Sequence, residues 1–207
     1  FNTCSKQEGQ HNCELIGKDL RNLKLLKANL IESNLSKSNL SGSFLRGANL
    51  QRSNLEKTII NGADFSRSNL TQANLRDAQL RRTLLNYSNI SDSNLNNTYI
   101  GGSELRWVDF RNADFHMTSI FDSDLRGANF SNATFNKTIF NGVNLVGVNF
   151  GLIADLTGLK INNSVLNSIS LLDGKLIGAK FVDLELNGVN FSGSDITQSN
   201  FSNSIMK

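Results

Sequence analysis

An apolar residue recurs every five positions along most of the chain. From Leu15 to Phe150, each fifth residue is Leu, Ile or Phe, without exception over 28 positions. The series shifts by one residue near 151–154 and continues from Leu156 to Met206 at the same interval. The chain is therefore one long repeat array, and a fixed repeat period of this kind indicates a solenoid.

A five-residue period fits neither an α-helix nor a flat β-strand. Five residues turn about 500° on a helix, so successive apolar side chains would share no face. On a strand, side chains alternate, so an odd interval would place them on opposite faces. A corner after each repeat lets every central residue point to one axis. Four such corners close a square coil, and coils stack about 4.8 Å apart.

The positions that flank each central residue agree with this geometry. Two residues before the centre, from Ala28 to Val148, the residue is always Ala, Ser, Thr or Val, which predicts a second inward position with little space. Two residues after the centre lie 12 of the 16 glycines. Glycine suits a tight corner because it adopts positive φ readily.

These repeats resemble those of the pentapeptide-repeat family, whose pattern is commonly written A(D/N)LXX. Segments that match it directly are ANLIE, SNLSK, GANLQ, ADFSR, ANLRD and ANFSN. The resemblance extends from about Cys13 to Lys207. It implies an all-β fold, a right-handed quadrilateral β-helix of about ten coils at that stacking distance.

We divide the chain into an irregular N-terminal cap, residues 1–21, and a pentapeptide-repeat β-helix, residues 22–207, with the register slip near 151–154. The cap is inferred because Lys18 occupies a position that is small and inward elsewhere. The pattern leaves open a short helix in the cap, and it predicts a bulge around Ile153. Residues 20 positions apart should stack, which predicts aromatic ladders of Phe110, Phe130 and Phe150, and of Phe115 and Phe135.

Cys4 and Cys13 are the only cysteines. In an oxidising compartment they would close a short loop worth about 2–3 kcal/mol; the alternative is two free thiols in a cytosolic protein. The chain begins at Phe1 rather than Met, which indicates the removal of a signal peptide or another leader. Together these features favour an extracytoplasmic setting, such as the bacterial periplasm, the secreted space or the thylakoid lumen.

Charge and motifs exclude several classes of function. The net formal charge is +3, too small to indicate a nucleic-acid partner, although residues 1–103 carry 13 basic and 8 acidic side chains. Apolar runs are too short for a membrane-spanning helix. His11 and His116 lie outside any metal-binding spacing, and no phosphate-binding loop or catalytic triad is evident. We therefore expect no enzyme activity, no cofactor, no metal and no small-molecule substrate.

An exposed aromatic and basic patch is the best candidate for a binding site. The 20-residue register places its members in two neighbouring corner columns: Arg67, Tyr87 and Trp107 in one, and Arg46, Arg106 and Arg126 in the other. Tyr, Trp and Arg are enriched at protein-binding hot spots. The alternative is ordinary decoration of a solvated face. A second strip, Ile59, Tyr99, Phe121 and Ile139, is either a contact surface or is hidden by a distorted turn.

The leading hypothesis is a non-enzymatic solenoid scaffold that binds an unknown protein partner through its flat faces. We expect a monomer, or a weak end-to-end or face-to-face dimer. The family resemblance supplies the alternative, a DNA-mimicking protein that protects DNA gyrase from quinolones. The basic charge and the lack of a dimerising C-terminal helix disfavour it, because a basic surface repels a DNA-binding groove.

Overall fold

The chain folds into stacked coils with four five-residue sides each. The computed structural model describes residues 4–7, 10–151 and 155–207, with side chains from Cys13 onward. One ladder of parallel bridges starts at Asp19 and Asn39 and can be followed to Lys180 and Asn200. The central residues from Leu30 to Leu186 are buried in the interior, and those from Phe191 onward are partly or largely exposed. The predicted all-β solenoid is thus confirmed, and the described residues contain no helix.

A β-hairpin forms the N-terminal end of the described chain. Strands β1 (Cys4–Gln7) and β2 (Gln10–Cys13) are antiparallel partners. The sequence left open a short helix in the cap, and for these residues that possibility is wrong. Parallel bridges begin directly after the hairpin, where Glu14 pairs with Asn34. The coil register thus starts within the segment assigned to the cap.

Three-residue strands line one side of consecutive coils. They are β3 (Gln79–Arg81), β4 (Tyr99–Gly101), β5 (Ser119–Phe121), β6 (Ile139–Asn141), β7 (Lys160–Asn162) and β8 (Lys180–Val182), and they form one parallel six-stranded sheet in chain order. Regular strand pairing therefore covers five coil-to-coil steps, and single bridges join coils elsewhere.

The stacking interval is 20 residues except at one place. Ile139 pairs with Lys160, an interval of 21, and Lys160 pairs with Lys180 at the usual interval. The extra residue is accommodated between β6 and β7. Residues 152–154, which include Ile153 and its expected bulge, lie outside the described residues.

Most corners are turns closed by a backbone hydrogen bond, with a residue in the left-handed region. Ser38 N donates to Leu35 O at 3.1 Å, and Lys37 between them has φ +58°. Most corners place a non-glycine residue there, including Trp107 and Met117. That conformation costs roughly 1–2 kcal/mol for an L-residue. The coil-to-coil bonds offset the cost, as where Lys37 N donates to Glu56 O at 2.8 Å.

Asparagine before the central residue has a structural role. Asn34 Oδ1 accepts a hydrogen bond from Ser36 N at 3.2 Å, which supports the corner. Asn54 Nδ2 donates to Asn34 Oδ1 at 3.3 Å, and Asn74 Nδ2 donates to Asn54 Oδ1 at 3.2 Å. The same side chain thus supports its own corner and binds the next coil, which explains the Asn and Asp preference at this position.

Aromatic rings fill the middle of the interior. Phe110 and Phe130 stack with centroids 5.0 Å apart and planes 9° apart, and Phe130 stacks on Phe150 at 5.6 Å. Phe115 and Phe135 form a second stack at 5.6 Å. The two stacks meet edge to face, since Phe115 and Phe130 are 5.4 Å apart at 64°. The rings therefore form one cluster, and this cluster makes the solenoid rigid beneath the corner that contains Trp107.

Candidate protein-binding surface

Exposed apolar side chains gather on one corner of the solenoid. Within the described residues 13–151, eight large hydrophobic side chains are more than a third exposed. Six of them lie on this corner or on the row of residues just before it: Leu26, Phe44, Leu84, Tyr87, Trp107 and Val146. A random scatter over four corners would not place them together, so this surface stands out from the rest.

We call this surface the Trp107 corner. Backbone hydrogen bonds link its residues coil to coil, from Lys27 N to Arg46 O through to Gly127 N and Val146 O. Its apolar and basic members are Leu26, Lys27, Arg46, Arg67, Tyr87, Arg106, Trp107, Arg126 and Val146. The structure thus brings together all six residues of the predicted patch. Sequence reasoning did not include Leu26, Lys27 and Val146, although the 20-residue register assigns them to the same corner.

Both aromatic rings of the corner are held in place although they are exposed. The side chains of Trp107 and Tyr87 are 59% and 58% exposed. The indole of Trp107 lies against Gly127, where an added Cβ atom would be 2.5 Å from Trp107 Cε3. Arg67 Cζ lies 5.6 Å from the centroid of the Tyr87 ring, a cation–π distance. Both rings are therefore exposed and also restrained by these contacts, so they have little orientational freedom left to lose on binding.

Two open grooves run along the corner. One, of about 370 Å³, is lined by Leu26, Lys27, Arg46, Gly47 and Arg67. The other, of about 420 Å³, is lined by Tyr87, Arg106, Trp107, Arg126, Gly127, Val146 and Gly147. The first ends on the coil before Tyr87, so the two grooves follow one another along the solenoid axis. Their shape suits an elongated ligand better than a compact one.

The charges at the two ends of the corner differ. Arg106 Nε and Arg126 Nη2 both contact Asp124 Oδ2, at 2.6 and 2.8 Å. Burial raises the pKa of Asp124, but hydrogen bonds from Arg126 and Arg106 outweigh it and lower the pKa to about 2. At the other end, Lys27, Arg46 and Arg67 form no ion pair with any described residue. Positive charge without a carboxylate is therefore concentrated at the Lys27 end.

The second predicted strip is packed on itself. Tyr99 and Phe121 stack with centroids 5.8 Å apart, and Arg81 Cζ lies 4.8 Å from the Tyr99 centroid. Both rings are half-buried, as are Ile59 and Ile139. These side chains offer less apolar surface than the Trp107 corner, so we treat the strip as a minor candidate.

Groups that carry chemistry do not converge elsewhere in the described chain. His116 and Asp77 line an open groove on another corner, and Asp155 and Lys175 line a groove beside the register slip. No cluster of three or more His, Cys, Asp or Glu residues able to hold a metal occurs among the described residues. Nor does the described chain have a helix of the length and apolarity that crossing a bilayer requires.

Square coils built from five-residue sides, with a Leu, Ile or Phe at nearly every centre and most of these centres buried, define a pentapeptide-repeat β-solenoid. The sequence model described as pentapeptide repeats matches in eight copies, over residues 13–52, 48–86, 88–127, 121–151 and 175–207. The chain therefore belongs to the pentapeptide repeat family. No curated protein matches the sequence.

Several solved structures are similar to this chain. HetL, a pentapeptide repeat protein involved in heterocyst differentiation regulation in the cyanobacterium Nostoc sp. strain PCC 7120, is 21% identical, with a TM-score of 0.49 over 94% of this chain and 89% of that one. QnrB1, a plasmid-mediated fluoroquinolone resistance protein, is 18% identical, with a TM-score of 0.46 over 79% and 91%. A thylakoid-lumen protein of Arabidopsis thaliana is 21% identical, with a TM-score of 0.36 over 58% and 70%.

Proposed function

We propose that this protein is a non-enzymatic binding module that uses the Trp107 corner as its contact surface for another protein. One observation carries the proposal: the rings of Trp107 and Tyr87 are exposed, and contacts with Gly127 and Arg67 already hold them in place. Tyr, Trp and Arg dominate binding energy at protein interfaces. Rings that are held before binding lose little entropy when a partner arrives.

The rigid interior supports this role. Each coil bonds to its neighbours through the backbone, and the stacked phenylalanines fill the space beneath the corner. A surface on such a scaffold keeps its shape, and solenoids commonly bind through extended surfaces of this kind.

Affinity capture with two matched variants tests the proposal. Trp107→Ala removes the central ring, and Met117→Ala removes an equally placed side chain on a different corner, since both residues have positive φ and are about half exposed. We expect one protein to be captured by the parent and by Met117→Ala, and lost with Trp107→Ala. The same pattern must then be reproduced with that protein in purified form. Equal capture by all three would contradict the proposal.

The DNA-mimic alternative has less support. A DNA mimic presents acidic side chains, whereas the Trp107 corner presents unpaired Lys27, Arg46 and Arg67. A gyrase supercoiling assay with and without a quinolone separates the two hypotheses, because a binding module of the kind proposed leaves gyrase unchanged.

We also propose that Cys4 and Cys13 form a disulfide and that the protein works in an oxidising compartment outside the cytoplasm. The support is the hairpin register, in which Cys4 and Cys13 are direct antiparallel partners. Such partners have Cα atoms about 4.5–5.5 Å apart, within the range that a disulfide needs. Alkylation of the protein purified without reductant tests this: mass spectrometry should find both thiols unmodified, and two alkylated cysteines would contradict it.

A further inference from the structure

The Trp107 corner mixes cations with aliphatic side chains along its whole length. On the row just before it, Phe44 and Leu84 are 46% and 37% exposed, and they stack in one ladder with Asp64 between them. Leu26 and Val146 lie at the two ends of the corner. A ligand that covers this surface must therefore offer apolar groups as well as charge.

The charges of the surface indicate that its ligand is acidic. The corner and the row before it hold six basic side chains, Lys24, Lys27, Arg46, Arg67, Arg106 and Arg126, against three acidic ones, Asp64, Glu104 and Asp124. Asp124 is shared by Arg106 and Arg126, and Glu104 accepts a hydrogen bond from Asn86 at 2.8 Å. The four cations at the Lys27 end form no ion pair with any described residue, although Arg67 also lies at cation–π distance from Tyr87. These cations are available to a ligand, and carboxylates would complement their charge.

We propose that the Trp107 corner binds an extended acidic segment of another protein, laid along the solenoid axis, with carboxylates at Arg46 and Arg67 and an apolar side chain over Trp107. This proposal rests on the proposed function and specifies its partner. Arg67 and Trp107 are two coils apart, about 10 Å at the stacking distance. In an extended chain, side chains two or four residues apart share one face and lie roughly 7 or 13 Å apart. An acidic residue two or four positions from an apolar one therefore fits both sites at once.

The surface favours a protein segment over a nucleic acid or a membrane. Bases of a single-stranded nucleic acid can stack on the aromatic rings, but they gain little from the aliphatic Leu84 and Val146. The carboxylates of Asp64 and Glu104, in the row just before the corner, repel its phosphates. Insertion into a bilayer needs side chains that project outward. Trp107 instead rests against Gly127 of the next coil.

Trp107 is the only tryptophan, so its fluorescence reports directly on this site. The probe is a synthetic peptide of about nine residues, which spans roughly 30 Å when extended, with alternating Glu and Ser and one Leu four positions after a Glu. Comparison ligands are the same peptide with Lys for Glu, an oligothymidylate, and vesicles of phosphatidylserine and phosphatidylcholine. Each is titrated into the full chain at low and at physiological salt.

Arg46→Glu with Arg67→Glu is the test variant, and Lys37→Glu with Lys137→Glu is its control. The two pairs change the net charge equally, and Lys37 and Lys137 are exposed on another corner. Circular dichroism establishes that both variants are folded. We expect saturable binding of the acidic peptide to the parent and the control, about tenfold weaker or absent with the test variant, and weakened by salt.

Three results would overturn the proposal: no saturable response, equal binding of the Lys peptide, or tighter binding of the oligothymidylate or the vesicles. If the acidic peptide fails while a purified partner still requires Trp107, the proposed function stands and only the acidic segment is rejected. If neither the peptide nor any partner depends on the corner, both proposals fail.

Discussion

The indole of Trp107 lies across the backbone of Gly127, one coil further along the solenoid. A Cβ atom at Gly127 would be 2.5–2.7 Å from three atoms of the ring, which is closer than any real contact. Glycine at 127 is therefore required by the ring as well as by the corner, where Gly127 has φ +69°. The most exposed aromatic residue among those whose side chains the structure describes is thus oriented by a residue 20 positions away.

Gly127→Ala should displace this ring, and Gly147→Ala is its matched control. Gly147 has the same φ of +69° and nothing within 4 Å of an added Cβ atom. Both variants lose about 1–2 kcal/mol of stability through backbone strain. Only Gly127→Ala should also shift the fluorescence emission of Trp107 to the red and raise its quenching by acrylamide. An unchanged spectrum would mean that the ring does not rest on Gly127.

Phe130→Ala should destabilise the protein by about 3–5 kcal/mol, because it leaves a large cavity. The ring is fully buried and contacts five others, those of Phe110, Phe115, Phe135, Phe140 and Phe150. Phe201→Ala provides the comparison, since that ring is only half-buried. Chemical denaturation measures both losses. A loss at Phe201 as large as that at Phe130 would contradict the importance of the central cluster.

Two buried serines should respond in opposite ways to replacement by alanine. Ser103 Oγ donates to Leu80 O at 3.0 Å and accepts from Thr83 N at 3.1 Å, so Ser103→Ala leaves a buried N–H unpaired and costs about 1–3 kcal/mol. Ser88 Oγ is equally buried but has no hydrogen-bond partner among the described residues. Ser88→Ala should therefore be neutral or stabilising. Thermal melts of the two variants decide this, and equal losses would refute it.

Asp124 should stabilise the fold at neutral pH and lose that effect in acid. Its folded pKa, about 2, lies below the usual value of 3.8, because hydrogen bonds from Arg126 and Arg106 outweigh burial. Its contribution is therefore complete above about pH 4 and disappears as the pH falls through about 2. Because both arginines are partly exposed, we expect at most about 1–2 kcal/mol. Asp124→Asn should be less stable than the parent at pH 7, and the difference should vanish as the pH falls below about 2. A difference that is independent of pH would contradict this origin.

The fold could be predicted from the five-residue period alone. Each coil contacts only its neighbours, at an interval of 20 residues everywhere but at the slip, where it is 21, so a local pattern is enough to define the whole solenoid. The same interval located the phenylalanine stacks and the members of the patch. It gave no warning that bulky residues such as Trp107 would occupy corners with positive φ, because intrinsic preference favours glycine there. Backbone bonds between coils override that preference.

Periodicity thus decides which side chains point inward, because a corner after every fifth residue leaves the central residue no other direction. It does not decide what outward side chains do, since no repeat constrains their rotamers. The contacts of the outward side chains depend on which residues meet across coils. Trp107 lies on Gly127, Tyr99 stacks on Phe121, and Arg106 and Arg126 share Asp124. Such contacts are settled by packing between side chains 18 to 22 positions apart. The fold could therefore be predicted from the sequence, whereas the contacts that shape its candidate binding surface are determined only by the tertiary structure.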